Sequence, residues 1–145
     1  SHGSLGNVVA ENYEIALAVS RAVKSVDKNL ILVVMPGMAT ELAGQKLGLR
    51  LAREVYADRT YQNNGNLTPR NEQGSTIHDP DIAAERITRM LEEQAITTTS
   101  GEKLKVKIDT ICVHGDNPAA VGMATVVRKS ILDNGIKLRP FHEFV

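Results

Sequence analysis

The stretches EVYADRTYQNNGNLTPR (residues 54–70) and TICVHGDNPAAV (residues 110–121) decide the fold of this chain. Each places charged and polar residues directly after a run typical of a buried β-strand. Parallel α/β sheets build their sites at the carboxyl ends of strands. The two stretches therefore predict an α/β fold with a functional site at one edge of its sheet.

Outward from these stretches, continuous apolar runs alternate with segments of helical period. The predicted strands cover residues 30–34, 49–56, 109–114 and, as a short addition, 136–138. The predicted helices cover residues 12–24, 40–47, 79–93 and 118–134. The expected N-caps of the second and third helices are Thr40 and Asp79, and the expected left-handed C-terminal residues are Gly48 and Gly135. We expect parallel strands joined by right-handed crossovers, with the helices outside.

Two further segments lack a helical or strand period. Residues 57–77 hold asparagines, glycines and a proline, and a stretch this long inside a small domain is typical of a binding loop. The sequence TTTSGEK (residues 97–103) indicates an exposed turn. We therefore expect ligand-binding groups in the first of these segments.

The composition of the chain limits the classes of function that it can have. The chain has 145 residues, 17 basic and 17 acidic side chains, and a single cysteine, Cys112. A neutral chain lacks the positive surface with which proteins bind nucleic acids and anionic membranes. One cysteine excludes an internal disulfide and a cysteine-rich zinc site, and its apolar surroundings indicate core packing. No apolar run approaches the roughly 20 residues of a membrane span, so we expect a single cytoplasmic domain.

The HGD triplet after the third predicted strand is one candidate site. His114 is a candidate general base or metal ligand, Asp116 could orient it or share its role, and Gly115 lets the backbone turn or approach a ligand. In the alternative interpretation, Asp116 caps the following helix and His114 is a hydrogen-bonded core histidine. Position in the sequence does not separate the two interpretations.

The ADR triplet occupies the corresponding place after the second predicted strand. Asp58 is a candidate catalytic carboxylate, and Arg59 and Arg70 could hold a carboxylate ligand through bidentate hydrogen bonds. Tyr61 could donate a hydrogen bond to the same ligand. The alternative is an ion pair at the mouth of a loop, which contributes little to stability. Three candidate binding groups in one loop favour a site.

Common nucleotide-binding and hydrolase motifs do not occur in the sequence. Gly37, Gly44 and Lys46 have the wrong spacing for a phosphate loop, and neither Ser nor Thr follows the lysine. The patterns GxGxxG, GxSxG and HExxH do not occur either. The chain is therefore not expected to bind a nucleotide through these devices.

Several motifs together resemble the LamB/YcsF family. EVYADRTYQNNGNLTPR is similar to the family pattern EvFADRxYxxdGxLvxR, GSTIHD (residues 74–79) to GAxIxD, and ICVHGDNP (residues 111–118) to (I/L)C(V/L)HGDxP. The start SHGSLGN (residues 1–7) is similar to KPHGALYN, with Gly6 in place of the family tyrosine. The resemblance spans essentially all 145 residues, in order.

The resemblance implies a fold and an activity. The family fold is similar to the irregular (β/α) barrel of glycoside hydrolases and deacetylases, so residues 1–145 would form one domain, the C-terminal portion of such a barrel without its N-terminal strands. The implied reaction is ATP-dependent opening of 5-oxo-L-proline to L-glutamate by a 5-oxoprolinase. ATP would be bound mainly by partner subunits B and C. A base near His114 and Asp116 would direct water at the lactam carbon, and His2 would reach the substrate from another strand end.

Two other classes of function remain open. A metal-dependent hydrolase of the deacetylase type would use His and Asp ligands and leave one coordination position for water, and the identity of any divalent metal does not follow from the sequence. A chain that only binds partners would need no catalytic groups. Because the upstream motifs of the family have no counterpart here, we also expect exposed apolar strand edges, or a homo-oligomer that covers them.

Overall fold

The computed structural model describes residues 3–116 and 118–145. Its α-helices are α1 (Gly3–Glu11), α2 (Tyr13–Val26), α3 (Ala39–Lys46), α4 (Pro80–Glu93) and α5 (Ala120–Asp133). Its strands are β1 (Ile31–Val34), β2 (Arg50–Tyr56), β3 (Ala95–Thr97), β4 (Lys103–Lys105) and β5 (Thr110–Cys112). A 3₁₀ turn covers Phe141–Glu143. None of the described helices is long and apolar enough to cross a membrane.

Three parallel strands form the main sheet. Their order is β1-β2-β5, and the register pairs Ile31 with Arg50 and Glu54 with Thr110. The predicted parallel sheet is therefore confirmed. In the described residues these strands form an open sheet, and the closed barrel implied by the family resemblance stays a prediction.

The two faces of the sheet have different neighbours. Successive side chains of a strand point to opposite faces, so Val55 of β2 faces one side and Tyr56 the other. Val55 belongs to the main core together with Ile87 of α4 and Val127 of α5, so these two helices cover its face. Tyr56 and Cys112 are only partly buried and line a cavity with residues of α1. The sheet therefore presents a second, more open face toward α1.

Helix α4 begins at the predicted cap. The Asp79 side chain accepts hydrogen bonds from the N–H groups of Asp81 and Ile82, at 2.8 and 3.1 Å. The prediction for Thr40 is wrong. Helix α3 has Met38 at its N-cap position, because the extended backbone turns into the helix there, and Thr40 lies inside the first turn.

Two helices are followed by the predicted glycines. Gly48 after α3 has φ 66° and Gly135 after α5 has φ 75°, the left-handed conformation that favours glycine. Helix α4 instead ends at Gln94, which adopts φ 47° and ψ 52° without being glycine. This sharp turn leads directly into β3.

The sequence pattern does not predict α1. Glycines at positions 3 and 6 lower its helix propensity, and its first turn carries no acidic residue. Asn12 separates α1 from α2, because the Asn12 side chain accepts the Ile15 N–H as an N-cap. The helix forms as a short element that packs against α2 and α3.

The β3-β4 hairpin is also absent from the sequence prediction. Ile96 pairs with Leu104 in an antiparallel ladder, and the turn expected at residues 97–103 connects the two strands. Each strand has three residues, too few to show an alternating pattern. The short strand predicted at residues 136–138 is wrong, because Ile136 packs against the main core and the described backbone there forms no ladder.

Apolar side chains remain exposed on the sheet and on α1. Val33 of β1 is 40 % exposed and Leu5 of α1 is 52 % exposed. Among the described residues, β1 and β5 are the outer strands, and each pairs on one side only. The expected exposure of apolar strand edges agrees with this arrangement, whereas the homo-oligomer that could cover them stays a prediction.

Candidate functional site

A cavity of about 550 Å³ opens at the carboxyl ends of the parallel strands. Met35 after β1, Tyr56 at the end of β2 and His114 after β5 line it from the sheet. Residues along α1, Thr40 of α3 and the loop after β2 line its remaining sides. We call it the strand-end cavity. It lies where the sequence predicts a site.

Asp58 and His114 form a hydrogen-bonded pair at the wall of the strand-end cavity. The two Asp58 carboxylate oxygens lie 2.9 and 2.8 Å from Nδ1 of His114. Asp58 is 3 % exposed, whereas His114 is partly exposed and lines the cavity. Because an ionised carboxylate can only accept hydrogen bonds, Nδ1 is the donor in this contact, and the tautomer protonated on Nδ1 leaves Nε2 as a proton acceptor. The pair thus combines an orienting carboxylate with a proton acceptor.

The ring of Tyr56 fixes the plane of the imidazole. The two ring centroids are 5.5 Å apart and the planes differ by 15°. Because Asp58 holds one edge of His114 and Tyr56 covers one face, the imidazole has few alternative orientations. Burial raises the pKa of the Tyr56 hydroxyl, with the carboxylate of Glu54 as a further cause, so the phenol stays protonated at neutral pH.

The loop of residues 57–79 is folded on itself. Arg59 forms an isolated antiparallel bridge with Thr76. Its guanidinium donates to the carbonyl oxygens of Ser75 at 3.1 Å and Thr68 at 2.5 Å, and the residue is only 6 % exposed. The sequence predicts that Arg59, together with Arg70, holds a carboxylate ligand through bidentate hydrogen bonds. In the structure it organises the loop through these two carbonyls while still lining the strand-end cavity.

Arg70 is the more accessible cation of this loop. Its guanidinium lies 3.2 Å from the Asp116 carboxylate, and both side chains are more than half exposed. Arg70 also lines the strand-end cavity. Exposed ion pairs contribute about 0–1 kcal/mol to stability, so a competing carboxylate ligand could displace Asp116 at little cost. Burial lowers the pKa of Arg59, and the nearby charge of Arg70 lowers it further.

The capping alternative for Asp116 is wrong. Helix α5 has Ala119 at its N-cap position, and that cap makes no side-chain hydrogen bond. Asp116 lies on the turn between β5 and α5, where it contacts Arg70. His114, for its part, is hydrogen-bonded to Asp58 but remains partly exposed at the cavity. The structure therefore brings these predicted residues to one cavity and its rim.

The strand-end cavity contains groups of both charges. Gly3 and Ser4 in the first turn of α1 line it, and the N-terminus of a helix favours anions. Arg59 and Arg70 add positive charge, whereas Glu54 of β2 adds a carboxylate. An anionic substrate would place its charge toward the arginines and α1.

The sequence interpretation does not include Glu54 or Tyr56 among the site residues. A signal for them exists in the alternation of β2, where positions 54 and 56 share one face. The register pairs Glu54 with Thr110 and Tyr56 with Cys112, so this face is also the one that leads to His114. Glu54 and Tyr56 could therefore be predicted from the alternation of β2 together with the position of its carboxyl end.

Tyr61 is a core residue rather than a ligand-binding residue. Its side chain is 0 % exposed, and its hydroxyl accepts a hydrogen bond from the Tyr56 N–H at 2.8 Å. Burial raises the pKa of this hydroxyl. The prediction that Tyr61 donates a hydrogen bond to a ligand is wrong. The loop folds the ring inward, and the hydroxyl bonds to the backbone of β2 instead.

We expect Tyr61→Phe to lower the free energy of unfolding by about 1–3 kcal/mol, because the partly buried Tyr56 N–H loses its acceptor. The KM for substrate should not change. Urea denaturation and steady-state kinetics on the same preparation test both parts. Tyr13→Phe is the matched control and should leave stability within about 0.5 kcal/mol. A raised KM at unchanged stability would return Tyr61 to the binding residues.

Cys112 lines the strand-end cavity but is a poor nucleophile. Burial raises the pKa of its thiol to about 12, and the carboxylates of Glu54 and Asp58 contribute further. The thiolate is the reactive form of cysteine. At neutral pH this side chain is therefore mainly in the unreactive thiol form, although it lies on the wall of the cavity and not in the core where the sequence predicts it.

We expect iodoacetamide to alkylate Cys112 on the order of 10²- to 10³-fold more slowly at pH 7 than it alkylates a free thiol, because so little thiolate is present. Cys112→Ala should retain turnover. Mass spectrometry of the timed alkylation and kinetics of the variant check these expectations. Loss of turnover in a folded Cys112→Ala protein would show that the thiol takes part in the chemistry.

Two predictions about the site are left open by the described residues. His2 lies outside them, so its place at the rim of the strand-end cavity stays a prediction. Within residues 3–116 and 118–145, no group of three or more His, Cys, Asp or Glu side chains is arranged to hold a metal ion. The metal-dependent alternative therefore also stays a prediction.

Comparisons with known proteins show which family this chain resembles. The model of the LamB/YcsF family matches residues 1–145. A protein of Azorhizobium caulinodans, named as the A subunit of 5-oxoprolinase, is 46 % identical over 140 residues, which are 97 % of this chain and 55 % of that protein. A protein of the same name from Nitrobacter hamburgensis is 38 % identical over 141 residues, with 97 % and 55 % covered.

A solved structure shares the fold. The lactam utilization protein from Thermus thermophilus superposes with a TM-score of 0.83 at 38 % identity, over 95 % of this chain and 55 % of that one. The chain thus spans about half the length of the relatives that it matches.

Proposed function

This chain belongs to the LamB/YcsF family, and from that premise we propose that it acts as the lactam-hydrolysing A subunit of an ATP-dependent 5-oxoprolinase in the cytoplasm. The substrate is 5-oxo-L-proline and the product is L-glutamate. The names of relatives at 38 and 46 % identity support the proposal. The observation that carries it is the Asp58–His114 pair at the wall of the strand-end cavity.

The pair supplies the base that lactam hydrolysis needs. A lactam is a resonance-stabilised amide, so water must be activated before it attacks the carbonyl carbon. While Asp58 holds Nδ1–H, Nε2 of His114 takes a proton from the water as its oxygen bonds to the lactam carbon. The same nitrogen then gives the proton to the ring nitrogen as the C–N bond breaks, which yields a carboxylate and an amine.

The cations of the loop would hold the carboxylate that 5-oxo-L-proline already carries. Arg70 lines the cavity, and its exposed contact with Asp116 is one that a substrate carboxylate can replace. A guanidinium binds a carboxylate through two parallel hydrogen bonds, which also fixes the ligand's orientation. With the carboxylate at Arg70, the lactam ring can reach His114 across the same cavity.

The segment around Gly44 and Lys46 does not form a phosphate loop. Gly44 lies inside α3, and a Cβ at this position would be 2.6 Å from Cδ2 of Leu51, so Gly44 packs a helix rather than cradling a phosphate. Lys46 lies 5.8 Å from the ring centroid of Tyr13. We therefore propose that partner subunits B and C bind the ATP, and we assign no step of this chain to it.

Reconstitution tests the proposed function. The chain, and a longer form of the relatives' length, are each combined with subunits B and C, and L-glutamate formed from 5-oxo-L-proline and ATP is measured. We expect glutamate formation that requires all three subunits and ATP. If no combination forms glutamate although the subunits associate, the proposal fails and a role in partner binding alone is favoured.

Arg70→Met is expected to raise the KM for 5-oxo-L-proline by about 10- to 100-fold with little change in kcat, because it removes a charged hydrogen bond worth about 1.5–3 kcal/mol. Asp116→Ala should instead lower KM slightly or leave it unchanged, because the substrate carboxylate no longer has to displace Asp116 from Arg70. Arg89→Met is the matched control, since Arg89 pairs with Glu85 on α4 at 2.5 Å, outside the strand-end cavity. An unchanged KM in Arg70→Met would contradict the assignment of the carboxylate site.

A further inference from the structure

Arg86 on α4 reaches the backbone that leads into the Asp58–His114 pair. Its Nη1 donates to the carbonyl oxygen of Tyr56 at 3.2 Å and to that of Ala57 at 3.5 Å. These carbonyls lie at the end of β2, immediately before Asp58. The guanidinium therefore contacts the two peptide units that set the position of the Asp58 backbone.

Tyr61 holds the same segment from a second side. Its hydroxyl accepts the Tyr56 N–H at 2.8 Å, and the Arg86 guanidinium lies 5.3 Å from the centroid of its ring. The Ala57 N–H donates to the carbonyl of Cys112 at 2.9 Å. Each N–H and C=O group of residues 56 and 57 therefore has a partner, and Arg86 serves both carbonyls.

Arg86 occupies a position where a cation is unfavourable. Burial lowers its pKa, while Tyr61 and Asp58 partly oppose that effect. Its Nη2 is buried and has no hydrogen-bond partner among the described residues. A position that needed only packing between α4 and β2 would be served better by an apolar side chain. The guanidinium must therefore contribute something other than packing.

We propose that Arg86 is a positioning residue for the Asp58–His114 pair. By holding the two carbonyls before Asp58, it places both carboxylate oxygens within 2.9 Å of Nδ1 of His114. The inference rests on the proposed function, in which His114 is the base. Because the proposed role of Arg86 concerns the geometry of the Asp58–His114 pair, this role can be tested without measuring turnover.

The test follows the Nδ1–H proton of His114 by NMR in protein labelled with ¹⁵N-histidine. The signal is assigned by its loss in His114→Asn. Its exchange rate with water is compared in the wild type, Arg86→Lys, Arg86→Met and the control Arg89→Met. Lysine keeps the charge and can reach one carbonyl, whereas methionine keeps only the bulk of the side chain.

We expect exchange to be about 10-fold faster or more in Arg86→Met, intermediate in Arg86→Lys and unchanged in Arg89→Met, because a loosened Asp58 holds the proton less well. Wild-type exchange in both folded Arg86 variants would overturn the proposal. If Arg86→Met does not fold, Arg86→Lys decides, with faster exchange in support and an unchanged rate against.

If the reconstituted system forms glutamate, steady-state kinetics of the Arg86 variants give a second measurement. Displacement of a catalytic group by a fraction of an ångström should lower kcat by about 10- to 100-fold with KM nearly constant, and lysine should recover part of the loss. A fall in stability with normal kcat and normal proton exchange would show that Arg86 is merely structural. If no preparation forms glutamate, the proposed function fails while the NMR comparison still decides the role of Arg86.

Discussion

Replacing His114 with asparagine is expected to lower kcat for glutamate formation by about 10²- to 10⁴-fold, the usual loss on removing a positioned general base. The asparagine amide can still donate a hydrogen bond to Asp58, so the buried carboxylate keeps a partner and the fold should survive. Nothing replaces Nε2 as the proton acceptor. Steady-state kinetics in the three-subunit system and the melting temperature are measured on the same preparation.

His78→Asn is the control for this variant, because His78 is exposed beside the N-cap of α4. We expect its kcat and melting temperature to match those of the wild type. If folded His114→Asn retained kcat within about ten-fold of the wild type, His114 would have to be removed from the catalytic residues.

Asp58→Asn should cause a loss of about 10³- to 10⁴-fold in kcat by a different route. Its amide can donate to Nδ1 of His114, which stabilises the tautomer protonated on Nε2. That tautomer cannot take a proton from water. The ¹⁵N chemical shifts of the imidazole distinguish the two tautomers, so NMR and kinetics on one sample check the result and its cause.

Asp109 offers a matched control for a buried carboxylate. Its side chain is 2 % exposed and accepts a hydrogen bond from Nη1 of Arg53 at 3.0 Å, but it precedes β5 and so lies at the opposite edge of the sheet from the strand-end cavity. We expect Asp109→Asn to lower stability, since breaking a buried pair costs about 3–5 kcal/mol, without changing turnover per folded molecule. If the Asp58 and Asp109 variants behaved alike in both measurements, Asp58 would be structural only.

The parallel sheet could be predicted because its strands are short and sharply bounded, and its outer strands are mostly apolar. The run at residues 30–34 ends at Pro36 and Gly37, and the run at residues 110–113 ends at a polar triplet. The β3-β4 hairpin could not, since pairing of Ile96 with Leu104 depends on where the turn after α4 directs the chain. That turn is made by a non-glycine residue in the left-handed conformation, which sequence patterns do not indicate.

Likewise, some residues of the candidate site could be predicted from the sequence and others could not. Asp58 and His114 follow strands directly, so the rule that parallel strands end at one edge is sufficient to bring them together. Tyr61 could not be told apart from a ligand-binding residue, because its burial depends on how the loop returns beneath β2. Arg86 has no local signal either, since the two carbonyls that it binds are 30 and 29 positions away in the chain.

The topology of the sheet has a consequence for the order of folding. β1, α3 and β2 form one crossover within residues 31–56. In contrast, β5 pairs with β2 only across a long stretch of chain, and Asp58 and His114 are likewise 56 positions apart. Closing a long loop costs entropy before its contacts form, so distant pairings form late. We therefore expect a refolding chain to regain most of its helical signal before β5 docks. The Asp58–His114 pair exists only once that last strand is in place, so a partly folded chain would lack the proposed base.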